Sequence, residues 1–342
     1  MTTPNLPQLP SDGPILITGA AGFIGSHLTD RLLADGHQVL GLDNFNTFYD
    51  PAIKRANLTP ALSQPNFTLL EADIRDRETT LSLFAEHQPA AVIHLAAMAG
   101  VRPSIESPAL YSAVNVDGTV NLLDAATALP QKPRFVFASS SSVYGNNKKV
   151  PFAESDPVDR PISPYAATKR ACEIIAHTYA HLHQLPIVGL RFFTVFGPRQ
   201  RPDLAIAKFL RLVANDQPIP VFGDGSTSRD YTYIDDIIAG VIAATRYCGS
   251  NTHRNQTAND TPDTAPCFDL FNLGGSDPVT LTQMIEAIAQ ATGKTPTLNR
   301  QPMQPGDVER TFADLTKSKA KLGYTSNSDL AKHIAKQYGS AN

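Results

Sequence analysis

Gly19-Ala20-Ala21-Gly22-Phe23-Ile24-Gly25 follows the apolar run Ile15-Leu16-Ile17-Thr18 and opens a stretch with Leu28, Leu32 and Leu33 at helical spacing. Buried strand, glycine turn and helix in that order constrain this chain more than any other feature. The first glycine permits a tight turn, the second lets backbone approach a diphosphate, and the third lets helix and strand pack closely. The diphosphate then lies at the positive helix end. Residues 37–43 read as a second strand ending in Asp43, which closes a β-α-β unit of about 30 residues. Asp43 follows Gly25 by 18 residues. A carboxylate there holds ribose hydroxyls and repels a 2′-phosphate, which favours NAD over NADP.

The alternation continues with strands at 67–71, 90–96, 134–138 and 186–191 and helices at 78–87, 109–129 and 164–183. It predicts an α/β fold, a doubly wound parallel (Rossmann) sheet with right-handed crossovers. Beyond 192 the pattern loosens into helices at 204–215, 234–246 and 281–292 and a strand at 268–273. A smaller C-terminal α/β substrate-binding domain is therefore expected, and 342 residues suggest roughly two domains. The expected division is a flexible tail (1–12), an NAD-binding domain (13–192 plus about 232–272) and a substrate-binding domain (193–231 plus about 273–342). The polar stretch 249–266 reads as a solvated insertion.

A net charge of −3 with no dense Lys/Arg block gives nucleic acid and anionic membranes no electrostatic footprint. Three scattered cysteines form neither a disulfide framework nor a metal site. No signal peptide and no run of about 18 apolar residues is visible, so a cytoplasmic protein is expected.

Tyr165 and Lys169 stand four apart in PYAATKRACEIIAH, one turn apart on one helix face. A phenol needs a neighbouring cation to serve as a base near neutral pH, although Tyr and Lys at this spacing are also common in purely structural helices. The preceding strand ends in ASSSSVYG, four hydroxyls at a strand C-terminus, some of which equally suit caps or turns. Asp73, Ile74, Leu95, Ala96 and Ala97 fall at C-terminal ends of the third and fourth strands, the rim where open α/β sheets bind ligands. Ala96 and Ala97 leave room for a flat cofactor and would suit a core equally well. Phe23 and Ile24 in the loop and Asn44 beside Asp43 complete the expected cofactor set. His94, His177, His181 and His183 show no partner pattern and read as structural or solvated.

Glycine loop, Asp43, SSSSVYG, YxxxK and RFFTVFGP together resemble the extended short-chain dehydrogenase/reductase superfamily of nucleotide-sugar epimerases and dehydratases, over essentially the whole chain. The resemblance implies Tyr165 as base, Lys169 on the nicotinamide ribose, Ser140 sharing the O4 proton, and Asn115 supporting the site through water or backbone. Dehydratases of this superfamily carry an Asp-Glu pair after the strand-end Thr, and the decarboxylases carry an acid before VYG. Ser141 and Ser142 occupy those places, which removes the proton donor for elimination and favours epimerisation. Thr194 replaces the Asn of glucose-type epimerases. With NTFYDPAIKRANL, MAGVRPSIESP, GPRQRPD and QPGDVERTFADLTKSKAKLGY, the chain is similar to the UDP-glucuronic acid 4-epimerases.

That similarity implies conversion of UDP-glucuronate to UDP-galacturonate by transient oxidation at C4 with tightly bound NAD. Ser141, Ser142, Thr194 and Arg201 are candidates to hold the sugar carboxylate, since hydroxyl donors and a guanidinium suit a planar anion. Arg102 either joins them or anchors its loop. By motif, Arg229 meets the nucleotide diphosphate or else pairs with Asp230 or Asp235, Asp307 bonds the ribose, and Val221 and Phe222 lie beside the uracil. A homodimer through the outer faces of helices 109–129 and 164–183 is implied as well. A neutral UDP-hexose 4-epimerase is the alternative reading, followed by a non-catalytic NAD-binding scaffold.

Overall fold

The computed structural model describes residues 4–250, 268–275, 277–302, 310–327 and 329–340. Its main sheet has seven strands, all parallel: β1 (Ile15–Thr18), β2 (Val39–Asp43), β3 (Phe67–Glu71), β4 (Ala91–His94), β5 (Arg134–Ser140), β6 (Ile187–Phe192) and a last strand, Phe268–Leu273. Strands β1, β2, β4 and β6 are buried throughout, so each reads as a near-continuous apolar run rather than an alternating one, with Asp43, His94 and Arg191 at or near the C-terminal ends. The spatial order is Phe268–Leu273, β6, β5, β4, β1, β2, β3, and the winding reverses between β1 and β4. That reversal opens a crevice at the C-terminal strand ends.

Helices α1 (Phe23–Ala34), α2 (Pro51–Leu62), α3 (Arg77–His87), α4 (Val101–Glu106), α5 (Pro108–Ser112), α6 (Gly118–Ala128) and α7 (Pro164–His183) connect the strands. The long helix expected over 109–129 is α5 and α6 joined through a widened π turn, Ala113–Asp117. Apolar periodicity does not show helix α2, because its buried face carries Lys54 and Asn57 beside Leu58 and Ala61. Its start is nevertheless specified locally: the Asp50 side chain accepts from the Ala52 amide, and Pro51 takes the first helical position. Strand β5 runs two residues beyond the expected 134–138, since Ser139 and Ser140 pair with Arg191 and Phe192 of β6.

After β6 the chain adds β7 (Thr194–Phe196), α8 (Ala205–Ala214), β8 (Ile219–Phe222), β9 (Ser228–Tyr233) and α9 (Ile234–Cys248). With β10 (Phe268–Leu273) it returns to the main sheet beside β6. Then come β11 (Pro278–Thr280), α10 (Leu281–Thr292), β12 (Leu298–Gln301), α11 (Thr316–Leu322) and α12 (Leu330–Gly339). Strand β9 lies between β7 and β11, and β8 pairs with β12. The insertion expected at 249–266 lies outside the described residues from 251 onward.

The glycine turn is tight in the way its spacing requires. Gly19 has a positive φ of 72°, and a Cβ on Gly25 would sit 2.1 Å from the Gly19 carbonyl oxygen. Any side chain at Gly25 therefore drives α1 off β1.

Candidate active site

A cavity of about 410 Å³ lies at the C-terminal rim of the sheet. Gly19, Gly22, Phe23, Ile24 and Gly25 line one end, together with Asp43, Asn44, Asp73, Ile74, Leu95, Ala96 and Ala97. Helix α1 starts at Gly22 without any side-chain cap, so its first-turn N–H groups are left for a ligand. Asp43 is buried and accepts from the Ala21 amide at 3.1 Å and the Phe45 amide at 2.8 Å. It thus closes the glycine loop while facing the cavity. Burial pushes its carboxyl up, opposed by those amides and by Lys54. Asn44 Nδ2 donates to Asp73 at 2.9 Å, and the Arg75 guanidinium, forked on the same carboxylate, brings Asp73 down to about 2.

The other end is built from β5 and α7. Ser163 caps α7 by accepting from the Ala166 amide, Pro164 follows at the first position, and Tyr165 therefore falls in the first turn. The Tyr165 ring meets the buried Tyr111 edge-on at 6.2 Å. Lys169 is only 5% exposed, and its Nζ donates to the Ala138 carbonyl at 2.8 Å. Ser140 Oγ accepts from the Ser142 amide at 3.1 Å and starts the short 3₁₀ turn Ser141–Tyr144. Ser140, Ser141, Ser142, Tyr165, Lys169, Thr194 and Arg201 all line the cavity.

Arg201 is already engaged. Its Nε and Nη2 grip Asp203 at 3.0 and 2.7 Å, Nη2 reaches the Ala99 carbonyl at 3.4 Å, and the guanidinium lies over Phe48 at 4.9 Å. Asn115 sits in the π turn behind the cavity wall. Its side chain accepts from the Met98 amide at 2.8 Å and donates to the Met98 carbonyl and Thr168 Oγ1, both at 3.0 Å, tying the loop after β4 to α7.

Other expected site residues do not line this cavity. Val221 is buried in the hydrophobic core, Arg102 lies over the Phe222 ring at 5.1 Å, and Arg229 Nη1 donates to the Ser228 carbonyl. Asp307 lies outside the described residues. The described residues contain no cluster of side chains arranged for a metal, and Cys172 and Cys248 are buried, their thiols donating to the Asn115 and Pro186 carbonyls, each at 3.1 Å. Phe48, Tyr49 and Lys54, which line the cavity, were missed in the sequence. Burial, then the Asp43 carboxylate, pushes the Tyr49 phenol up to about 12, and Lys54 Nζ donates to the Asn46 carbonyl at 2.8 Å. The Asp50-Pro51 helix start was the signal that could have placed them.

A parallel sheet reversing beside a glycine loop, with Tyr, Lys and Ser converging on the same rim, defines an extended short-chain dehydrogenase/reductase. A family profile described as GDP-mannose 4,6 dehydratase matches residues 16–337, and the chain belongs to that family. It is 40% identical to a probable UDP-glucuronate 4-epimerase of Rhizobium meliloti (strain 1021), with 94% of each chain covered. The structure of UDP-glucuronic acid 4-epimerase from Bacillus cereus, in complex with UDP-glucuronic acid and NAD, is 33% identical with a TM-score of 0.84, covering 96% of this chain and 98% of that one. The UDP-glucose 4-epimerase of Thermotoga maritima, with UDP-glucose, is 30% identical with a TM-score of 0.82, again covering 96% and 98%. No helix among the described residues is long and apolar enough to cross a membrane.

His94, at the end of β4, is enclosed by Thr18 Oγ1 at 2.7 Å and Thr119 Oγ1 at 3.0 Å. Burial first, and the Lys169 charge second, bring its imidazole down to about 3. An unfolded histidine titrates near about 6.5. Between those values the unfolded chain takes up a proton that the native chain refuses, so native stability falls with falling pH. Thermal melts between about pH 7 and about pH 4 should show Tm dropping less steeply in His94→Gln than in the wild type. Equal slopes would contradict this assignment.

Proposed function

We propose that the chain is an NAD-dependent nucleotide-sugar 4-epimerase that interconverts UDP-glucuronate and UDP-galacturonate. The observation that carries this reading is the set of hydroxyls at Ser140, Ser141, Ser142 and Thr194 sharing one cavity with Tyr165 and Lys169, with no acid at 141 or 142. NAD suits the donor set at the other end: an uncapped glycine-rich helix start for the diphosphate and a buried carboxylate, Asp43, for the ribose. Bound NAD⁺ supplies reversible two-electron oxidation of the sugar at C4.

Tyr165 accepts the O4 proton, and Lys169 stands one turn along on the same helix face, where it can bond the nicotinamide ribose. Ser140 donates to O4 as the carbonyl develops. Tyr165 then returns its proton after the 4-keto sugar has presented its other face. A 4-keto uronate is a β-keto acid and loses CO₂ when its carboxylate stands perpendicular to the carbonyl plane. Ser141, Ser142 and Thr194 hold the carboxylate out of that orientation. Because Arg201 is neutralised by Asp203, the hydroxyls carry most of this contact, and Arg201 supports it from the wall.

Charge-assisted hydrogen bonds of about 1.5–3 kcal/mol correspond to roughly a 10- to 100-fold preference for the uronate. Side-by-side assays should therefore give a kcat/KM for UDP-glucuronate above that for UDP-glucose by about that factor, and Tyr165→Phe should lower kcat by about 10² or more. Equal or reversed preference would favour the neutral-hexose reading, which the Thermotoga maritima likeness also supports. An unchanged Tyr165→Phe rate would remove the base.

We also propose that a second copy packs on the outer face of α7, which exposes Ile174 at 51% and Leu182 at 71%. Light scattering should give twice the chain mass, and the mass of a single chain for Ile174→Glu/Leu182→Glu. A wild type of single-chain mass would end this proposal.

A further inference from the structure

Beneath the cavity lies a charge network that the proposed chemistry does not use. Glu173 and Arg191 form an ion pair with side-chain exposures of 0% and 1%. Glu173 stands one turn beyond Lys169 and two beyond Tyr165 on α7, so the three share a face. Its carboxylate accepts from Ser139 Oγ at 2.6 Å, from Arg191 Nε and Nη2 at 2.8 and 2.9 Å, and from Arg170 Nη1 at 3.1 Å. Arg191, on β6, also donates from Nη1 to Tyr144 Oη at 3.0 Å, and Tyr144 in turn donates to Asn272 Oδ1 at 2.7 Å.

These contacts touch both halves of the proposed catalytic set. Lys169 on the Ala138 carbonyl and Glu173 on the Ser139 hydroxyl are successive rungs that dock α7 on the last residues of β5 before Ser140. Tyr144 ends the turn that carries Ser141 and Ser142. Arg191 therefore grips the helix bearing Tyr165 with one part of its guanidinium and the end of the serine turn with another. A buried ion pair is a poor device for stability, since well-packed apolar residues of similar volume often do as well or better. Geometry is what such a pair supplies: the planar fork fixes direction as well as distance.

We propose that Glu173 and Arg191 are positioning residues that set the spacing between Ser140 and Tyr165. Neither lines the cavity. The inference rests on the epimerase reading above for its kinetic consequences and on geometry alone for its structural ones.

The test replaces the pair by apolar residues, Glu173→Leu/Arg191→Met, with Glu173→Gln as a second variant in case the double substitution does not fold. The Tm of the double variant should stay within a few degrees of the wild type. The kcat for UDP-glucuronate should fall about 10²-fold, as expected for a shift of about 1 Å at the reacting groups, while KM changes by less than about threefold. Crystal structures of the two proteins should differ in the Ser140 Oγ to Tyr165 Oη separation by about that shift, a readout independent of turnover. A folded variant with wild-type kcat and wild-type separation would overturn the inference. A wild type inactive on UDP-glucuronate would count against the epimerase reading alone, because the separation still decides this one. For Glu173→Gln, which keeps an acceptor but loses the charge, a smaller drop in kcat at unchanged KM is expected, and no drop would again contradict the role.

Discussion

The approach of Gly25 to the Gly19 carbonyl is the constraint on which the rest of the molecule depends. With no Cβ in that gap, α1 lies directly against the end of β1, and its uncapped N-terminus opens at the rim of the sheet. Asp43 from β2 completes the turn by accepting from the Ala21 amide. The winding reverses next to β1, so the strands on the β4 side end at the same rim. A dinucleotide cradle at one end and a Tyr-Lys-Ser set at the other thus share one cavity as a consequence of topology.

Each of the three cations that line the cavity, Lys54, Lys169 and Arg201, already has a hydrogen-bond partner. Arg201 lines the wall but is forked on Asp203, and Lys169 is turned to the Ala138 carbonyl. A free ammonium would bind a uronate strongly without fixing its torsion, since a point charge has no preferred plane. Hydroxyls at the end of β5 and the start of β7 are directional donors on rigid elements, suited to a carboxylate whose orientation decides whether carbon dioxide is lost.

Much of the fold was legible because parallel strands buried on both faces write themselves as short apolar runs. Even the two edge strands, 67–71 and 268–273, and the helices at 164–183 and 281–292 were readable to the residue. Helix α2 was not, because two of its buried positions are the polar Lys54 and Asn57 and its start is marked only by the Asp50-Pro51 cap. With α2 went Lys54, and with the loop before it Phe48 and Tyr49. The π turn at Asn115 left no trace in periodicity, since one extra residue per turn barely disturbs an apolar pattern. Glu173 and Arg191 were invisible for a different reason: a charged pair joining α7 to β6 is specified by tertiary contact, and in sequence each looks like an ordinary surface charge. Arg201 was found by motif, but its Asp203 partner, only two residues on, went unnoticed.

Retention of the sugar's own hydrogen is the most direct measure of C4 inversion by transient oxidation. UDP-glucuronate deuterated at C4, incubated with the purified protein and no added reductant, should yield UDP-galacturonate that keeps its deuterium at C4, with no hydrogen taken from solvent. Loss of the label to water, or recovery of the unaltered sugar after long incubation with NAD⁺ supplied, would contradict the proposed chemistry.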